Sequence, residues 1–240
     1  MDDQKIYRWS GICSLAAIAL FFVEFPFYVV RTGFRGVTDA AGLVDYTAAN
    51  GTNIMICVFF DFVILTLITI FLAGFHHLIR RADAQYEWLG MVVFGVGLVY
   101  ITLTFVADLL QAATVVDVRT TPANSIIIRA MTESMFLMYG SGALFLMALM
   151  MAVAGYAGVA SRALPPWSGW VGYICALACL AFVPSMFVGR PDLMRFYNPA
   201  GWGPEAIASG FPLAAWMIVV GILMIRKGRR AALPASATPN

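Results

Sequence analysis

The stretch NIMICVFFDFVILTLITIFLAGFHHLI, residues 53–79, decides the fold. It is an almost unbroken apolar run, and a helix needs roughly 20 apolar residues to cross the hydrocarbon core of a bilayer. One carboxylate, Asp61, stands among seven large apolar residues in the segment VFFDFVIL. The run therefore predicts a membrane-spanning helix with an acidic group inside it.

The composition extends this prediction to the whole chain. Hydrophobic residues make up 61% of the sequence and charged residues only 12%, whereas a soluble domain carries about 25% charged residues. The alternation that is typical of a membrane β-barrel is absent. The sequence predicts an all-α, polytopic membrane protein, a bundle of six transmembrane helices, with spans at about 10–31, 53–79, 88–116, 125–158, 168–188 and 206–226.

The distribution of Lys and Arg predicts that the N- and C-termini are both cytoplasmic, because cytoplasmic loops collect these residues. In this threading nine of them lie inside and five outside, and the cluster RKGRR (226–230) ends the last span. The first run lacks a cleavage signal and is predicted to be an uncleaved span. Residues 1–230 should form one membrane domain, and 231–240 a flexible cytoplasmic tail.

Two longer connections lie on the predicted outer side. Residues 32–52 are punctuated by glycine, and residues 189–205 are rich in proline, glycine and aromatic residues. Such loops either cap a cavity from outside or serve as ordinary surface connections, and the sequence leaves both alternatives open.

Ionisable residues inside the spans are the main functional signal, because they are costly in lipid and usually face a cavity or a partner. At 1.5 Å rise per residue, four carboxylates on consecutive spans lie roughly 10–14 Å below the predicted outer boundary. A single arginine lies one turn from the last of them. These five residues are Glu24, Asp61, Asp108, Glu133 and Arg129.

Their polar neighbours are spaced for one helix face. On the third span Tyr100, Thr104, Asp108 and Gln111 are separated by four, four and three residues. We therefore predict an outward-opening polar pocket between spans one to four. Its predicted ligand-binding residues are Glu24, Asp61, Asp108, Glu133, Arg129, Gln111, Tyr100 and Thr104.

The charge balance of this pocket limits what it can do. One arginine cannot neutralise four carboxylates, and several like charges in a low dielectric cannot all stay ionised. Protons, a bound cation or cationic ligand, or water must compensate them. The alternative is a buried hydrogen-bonded network that fixes helix packing, with Arg129 bridging Glu133 and another carboxylate.

Other chemistries find little support. The only histidines, His76 and His77, are adjacent at the inner end of span two, whereas two haem ligands face each other from different helices. Cys175 and Cys179 lack the further ligands of a zinc site. Asp61 lacks the glycine-containing context of intramembrane aspartyl proteases. We expect no metal, no cofactor, no nucleic-acid partner and no enzymatic activity.

Three segments carry a family resemblance: DYTAAN (45–50), HHLIRRADAQYEWLG (76–90) and ALPPWSGWVGY (163–173). In these the chain resembles uncharacterised bacterial six-span membrane proteins of the domain-of-unknown-function type. The resemblance implies a multi-pass protein of the bacterial inner (plasma) membrane, and it brings no activity or site residues.

Two functional hypotheses follow. In the first, the acidic pocket binds a cation, a proton or a small polar ligand, as in a transporter. In the second, the protein is a non-catalytic accessory or scaffold subunit of a membrane complex, whose polar layer serves helix packing. The expected partners are the lipid bilayer, the small ligand and other membrane proteins.

Overall fold

The six-helix prediction is confirmed by a computed structural model, which describes residues 2–31, 33–34, 36–37, 39–120, 124–188, 196–197 and 210–230. Six helical segments in these ranges are long and apolar enough to cross a membrane, and the same ranges contain no strand. The chain is a multi-pass membrane protein. The predicted tail 231–240 and most of the predicted outer loop 189–205 lie outside the described residues.

The helices follow the predicted order with different ends. The first three spans are α1 (Asp3–Val29), α2 (Ala40–Ala82) and α3 (Glu87–Thr120). The fourth span is divided into α4 (Ser125–Leu137) and α5 (Ala143–Ala160). A π-helical turn, Met138–Gly142, connects the two helices. The last two spans are α6 (Pro166–Leu180) and α7 (Phe211–Arg230).

The start of the second span differs most from the prediction. Residues 40–52 were predicted as loop, but α2 begins at Ala40, where the Asp39 side chain accepts a hydrogen bond of 2.9 Å from the Gly42 amide. The helix has 43 residues, which at 1.5 Å each gives about 65 Å, twice the hydrocarbon thickness of about 30 Å. Hydropathy marks only the part of a helix that lies in lipid, so it missed this polar first section.

The start of α1 and the end of α7 lie side by side at one end of the bundle, which we call the terminal end. There the Lys227 ammonium lies 6.0 Å from the centroid of the Tyr7 ring. The Asp3 carboxylate is 2.8 Å from His77 Nε2 and 3.2 Å from Arg81 Nε. These contacts connect α1, α2 and α7, and they pair His77 with a carboxylate of the first helix.

Helix packing in the terminal half is close and almost entirely apolar. Trp216 of α7 makes edge-to-face contacts with Phe71 and Phe75 of α2, at centroid distances of 5.5 and 5.9 Å. Ser14 of α1 donates a 2.7 Å hydrogen bond to the Met217 carbonyl of α7. The apolar contacts of this half hold the helices together, and the opposite end, which we call the cavity end, contains the polar residues that line the cavity.

Candidate functional site

A cavity of about 770 Å³ opens between α1, α2, α3, α4 and the first turns of α7. Most of its wall is apolar or aromatic, with polar groups collected at intermediate depth. Of the eight predicted site residues, the cavity is lined by five, namely Glu24, Asp61, Tyr100, Thr104 and Gln111. The structure therefore brings together acidic groups from the first two spans and the polar face of the third.

Glu24 is the most unusual of these groups. Its side chain is on the cavity wall and only 1% exposed. Neither carboxylate oxygen has a hydrogen-bond partner among the described residues. The Tyr28 hydroxyl and the Cys57 thiol lie close to it without completing a hydrogen bond. A buried ionised carboxyl without a donor is expensive in a membrane protein, and a proton, a partner or a ligand compensates it.

Asp61 of α2 lines the same acidic part of the cavity. It accepts a hydrogen bond of 3.4 Å from the Tyr28 hydroxyl, which reaches across from α1. Its carboxyl also adjoins that of Asp108 on α3. Two carboxyls on neighbouring helices therefore meet here, as the depth argument predicted.

Asp108 of α3 lies next to Asp61 but farther from the cavity. It is completely buried and accepts a hydrogen bond from the Tyr139 hydroxyl, while its second oxygen, Oδ2, has no partner in the described part of the chain. Asp108 is not among the cavity-lining residues, but Tyr139 is. Asp108 thus contacts the cavity indirectly, through Tyr139 and Asp61.

The position of Tyr139 depends on the interruption between α4 and α5. The π-helical turn contains Gly140, whose backbone angles of φ −76° and ψ −111° leave the helical region. π-Helical turns inside α-helices are frequent at functional sites. Sequence analysis missed Tyr139, although it shares a helix face with the cavity-lining Thr132, seven residues earlier.

Arg31 is the second residue that sequence analysis missed. It follows α1 at the cavity end and lines the cavity, with its guanidinium 4.2 Å from the centroid of the Tyr28 ring. Its Nε and Nη2 atoms are buried and have no hydrogen-bond partner among the described residues. The available signal was the spacing of Glu24, Tyr28 and Arg31, which is four and then three residues, but Arg31, at the end of the predicted span, was counted only as a charge of the outer side.

Arg129 and Glu133 are separated from this site, which corrects the predicted placement. Arg129 Nε lies 3.0 Å from Glu133 Oε1 in a pair along α4, and both side chains are 35% exposed. Neither lines the cavity, which α4 contacts instead through Met131, Thr132 and Met135. Counting residues along a helix predicts depth, but each residue turns a helix by about 100°, so depth does not give the direction of a side chain.

Two threonine hydroxyls of the wall donate hydrogen bonds within their own helices. Thr104 Oγ1 donates to the Tyr100 carbonyl at 3.0 Å, and Thr132 Oγ1 donates to the Ile128 carbonyl at 2.8 Å. Their oxygen lone pairs remain as acceptors. Near its carboxyls the cavity is therefore richer in acceptors than in donors, and this suits a ligand that donates hydrogen bonds.

No family model matches the chain, and no curated protein or solved structure matches it. The function is therefore inferred from the chemistry of the cavity.

Proposed function

We propose that the protein binds a small organic cation in this cavity, within the membrane. The observation that carries the proposal is Glu24, a fully buried carboxyl that lines the cavity and has no hydrogen-bond donor among the described residues. An ammonium group supplies both the missing donors and the missing positive charge, and Asp61 provides a second acceptor nearby.

The size and lining of the cavity support an organic ligand over an inorganic ion. Small-molecule sites enclose roughly 300–1,000 Å³, and about 770 Å³ falls within that range. A metal ion is held by oxygens only about 2–2.6 Å away and needs far less space. The apolar wall beside the carboxyls includes Ile18, Phe21, Ile64 and Ile68, which suit an apolar body attached to the charged group.

We further propose a bacterial inner (plasma) membrane location with both termini cytoplasmic. The basic segment 226–230 at the terminal end supports this orientation through the positive-inside tendency. The cavity then faces outward, and a transporter that collects its substrate from outside is the corresponding role.

The alternative, an accessory or scaffold subunit, is favoured by one observation. Asp108 is completely buried and bonded to Tyr139 across two helices, which is how a polar group specifies packing between membrane helices. This argument applies to Asp108 and leaves the unpaired carboxyl of Glu24 unexplained.

The test is binding of phenethylamine, a primary amine with an aromatic body, to the full chain in lipid nanodiscs by calorimetry. We expect Glu24→Gln to weaken binding about tenfold or more, since a hydrogen bond to a charged group contributes about 1.5–3 kcal/mol. Glu133→Gln is the matched control, because it removes a carboxylate of the same type outside the cavity. Equal affinity in the wild-type protein and Glu24→Gln would refute the proposal.

A further inference from the structure

The cavity wall carries unpaired groups of both charges. In the part of the chain that the structure describes, Glu24 has no hydrogen-bond donor, and Arg31 has no acceptor for Nε and Nη2. Both line the same cavity, yet neither belongs to an ion pair among the described residues. A ligand with only a positive charge would satisfy Glu24 and be repelled by Arg31.

Tyr28 of α1 and Cys57 of α2 lie beside both groups. Seven residues separate Glu24 from Arg31, which is a rise of about 10 Å along a helix. Tyr28 lies between them, with its hydroxyl directed at Asp61 and the guanidinium of Arg31 over its ring at 4.2 Å. The aromatic ring partly compensates the charge of Arg31 but accepts no conventional hydrogen bond from its N–H groups.

We propose that the ligand is a zwitterion with an apolar body, whose ammonium lies at Glu24 and Asp61 and whose carboxylate or phosphate lies at Arg31. This inference rests on the proposed function and adds the second charge. An arginine guanidinium can donate two parallel hydrogen bonds to two oxygens of one carboxylate or phosphate. The Nε and Nη2 atoms of Arg31, which have no partner among the described residues, could donate such a pair.

The order of groups along α1 narrows the ligand further. From the middle of the bundle to the cavity end, the wall presents Ile18 and Phe21, then Glu24, then Arg31. The antiparallel α2 repeats this order, with Ile68 and Ile64 followed by Asp61. The ammonium should therefore be joined directly to the apolar body, with the acidic group farther away. An amino-terminal aromatic residue followed by a short acidic extension has this order.

The experiment uses phenylalanylglycine with the wild-type chain in nanodiscs, together with its C-terminal amide and its N-acetyl form. Amidation removes the negative charge and acetylation removes the positive charge, with little change in size. Each change is expected to weaken binding to the wild-type protein about tenfold or more. Arg31→Gln should abolish the effect of amidation and leave the effect of acetylation, while Glu24→Gln should do the reverse.

Arg129→Gln is the matched control, because this arginine is paired with Glu133 outside the cavity. If Arg31→Gln does not fold, Arg31→Lys keeps the charge without the fork and should reduce the effect of amidation only in part. If the amide binds as tightly as the free acid, the zwitterion is refuted while the proposed cation site stands. If acetylation also has no effect, both proposals are refuted.

A lipid headgroup could supply the same two charges, in the opposite order along the ligand. Dioctanoyl phosphatidylethanolamine, with dioctanoyl phosphatidylglycerol as its form without the ammonium, tests this source. Preference for the ethanolamine lipid over phenylalanylglycine, dependent on both Glu24 and Arg31, supports the zwitterion site, assigns it to the bilayer and overturns the order of groups inferred along α1. Preference for the dipeptide supports it and assigns the site to a free ligand.

Discussion

Replacing Gly172 of α6 with leucine is expected to lower the midpoint of thermal unfolding by about 6–12 °C, which corresponds to a loss of about 3 kcal/mol. A Cβ atom at Gly172 would lie 2.8 Å from the Met151 carbonyl oxygen and 3.3 Å from Gly155 Cα. Both neighbours are backbone atoms of α5, so no side chain can move aside. The two helices must separate, and the van der Waals contact that holds membrane helices together is lost.

The measurement is thermal unfolding in detergent, followed by circular dichroism. Gly95→Leu on α3 is the matched control, because an added Cβ at this exposed position meets no atom within 4 Å. We expect its midpoint to equal or exceed that of the wild-type protein, since glycine is a poor helix former. Equal midpoints for the Gly172 and Gly95 variants would contradict the close crossing of α5 and α6.

The number and order of the spans could be predicted from sequence because each depends on a single property, the length of an apolar run. Helix ends depend on more than hydropathy. The polar section of α2 that includes Leu43 and Thr47 is buried by packing against other helices beyond the predicted span. No apolar run marks such a section, so the prediction of a loop there was wrong.

The site was predictable in depth but only partly in direction. Glu24 and Asp61 line the cavity, whereas Glu133, at a similar predicted level, is paired with Arg129 outside it. Counting residues from a span boundary gives height along a helix, but the facing direction depends on how the helix is rotated by its neighbours. A kink such as that at Gly140 changes this rotation within one helix, and the sequence alone did not reveal it.

Arg31 illustrates a different limit. The positive-inside argument treats every arginine near the end of a span as a topological marker, so Arg31 was counted only among the charges of the outer side. In the structure Arg31 lines the cavity together with Glu24 and Tyr28, two residues after the end of α1. An arginine at the end of a span can act as a topological marker or as part of a binding site. Only the position of its side chain decides between these two roles.

The second large effect is expected for Tyr139→Phe, which removes the only hydrogen-bond donor that the described residues provide to Asp108. Because Asp108 is completely buried, the loss should cost about 1–3 kcal/mol and lower the unfolding midpoint by about 3–10 °C. Tyr156→Phe is the matched control, since the Tyr156 side chain is 52% exposed and its variant should unfold at the wild-type temperature.

The double variant Tyr139→Phe/Asp108→Leu separates a packing role of this pair from a ligand-binding role. When both partners of a buried hydrogen bond become apolar, the cost falls, because no polar group is left unpaired. Replacing Asp108 also removes the repulsion between its carboxyl and that of Asp61. The double variant should therefore be more stable than Tyr139→Phe alone and should still bind phenethylamine through Glu24. Loss of binding with restored stability would instead make Asp108 part of the cation site, and it would remove the observation that favours the scaffold alternative.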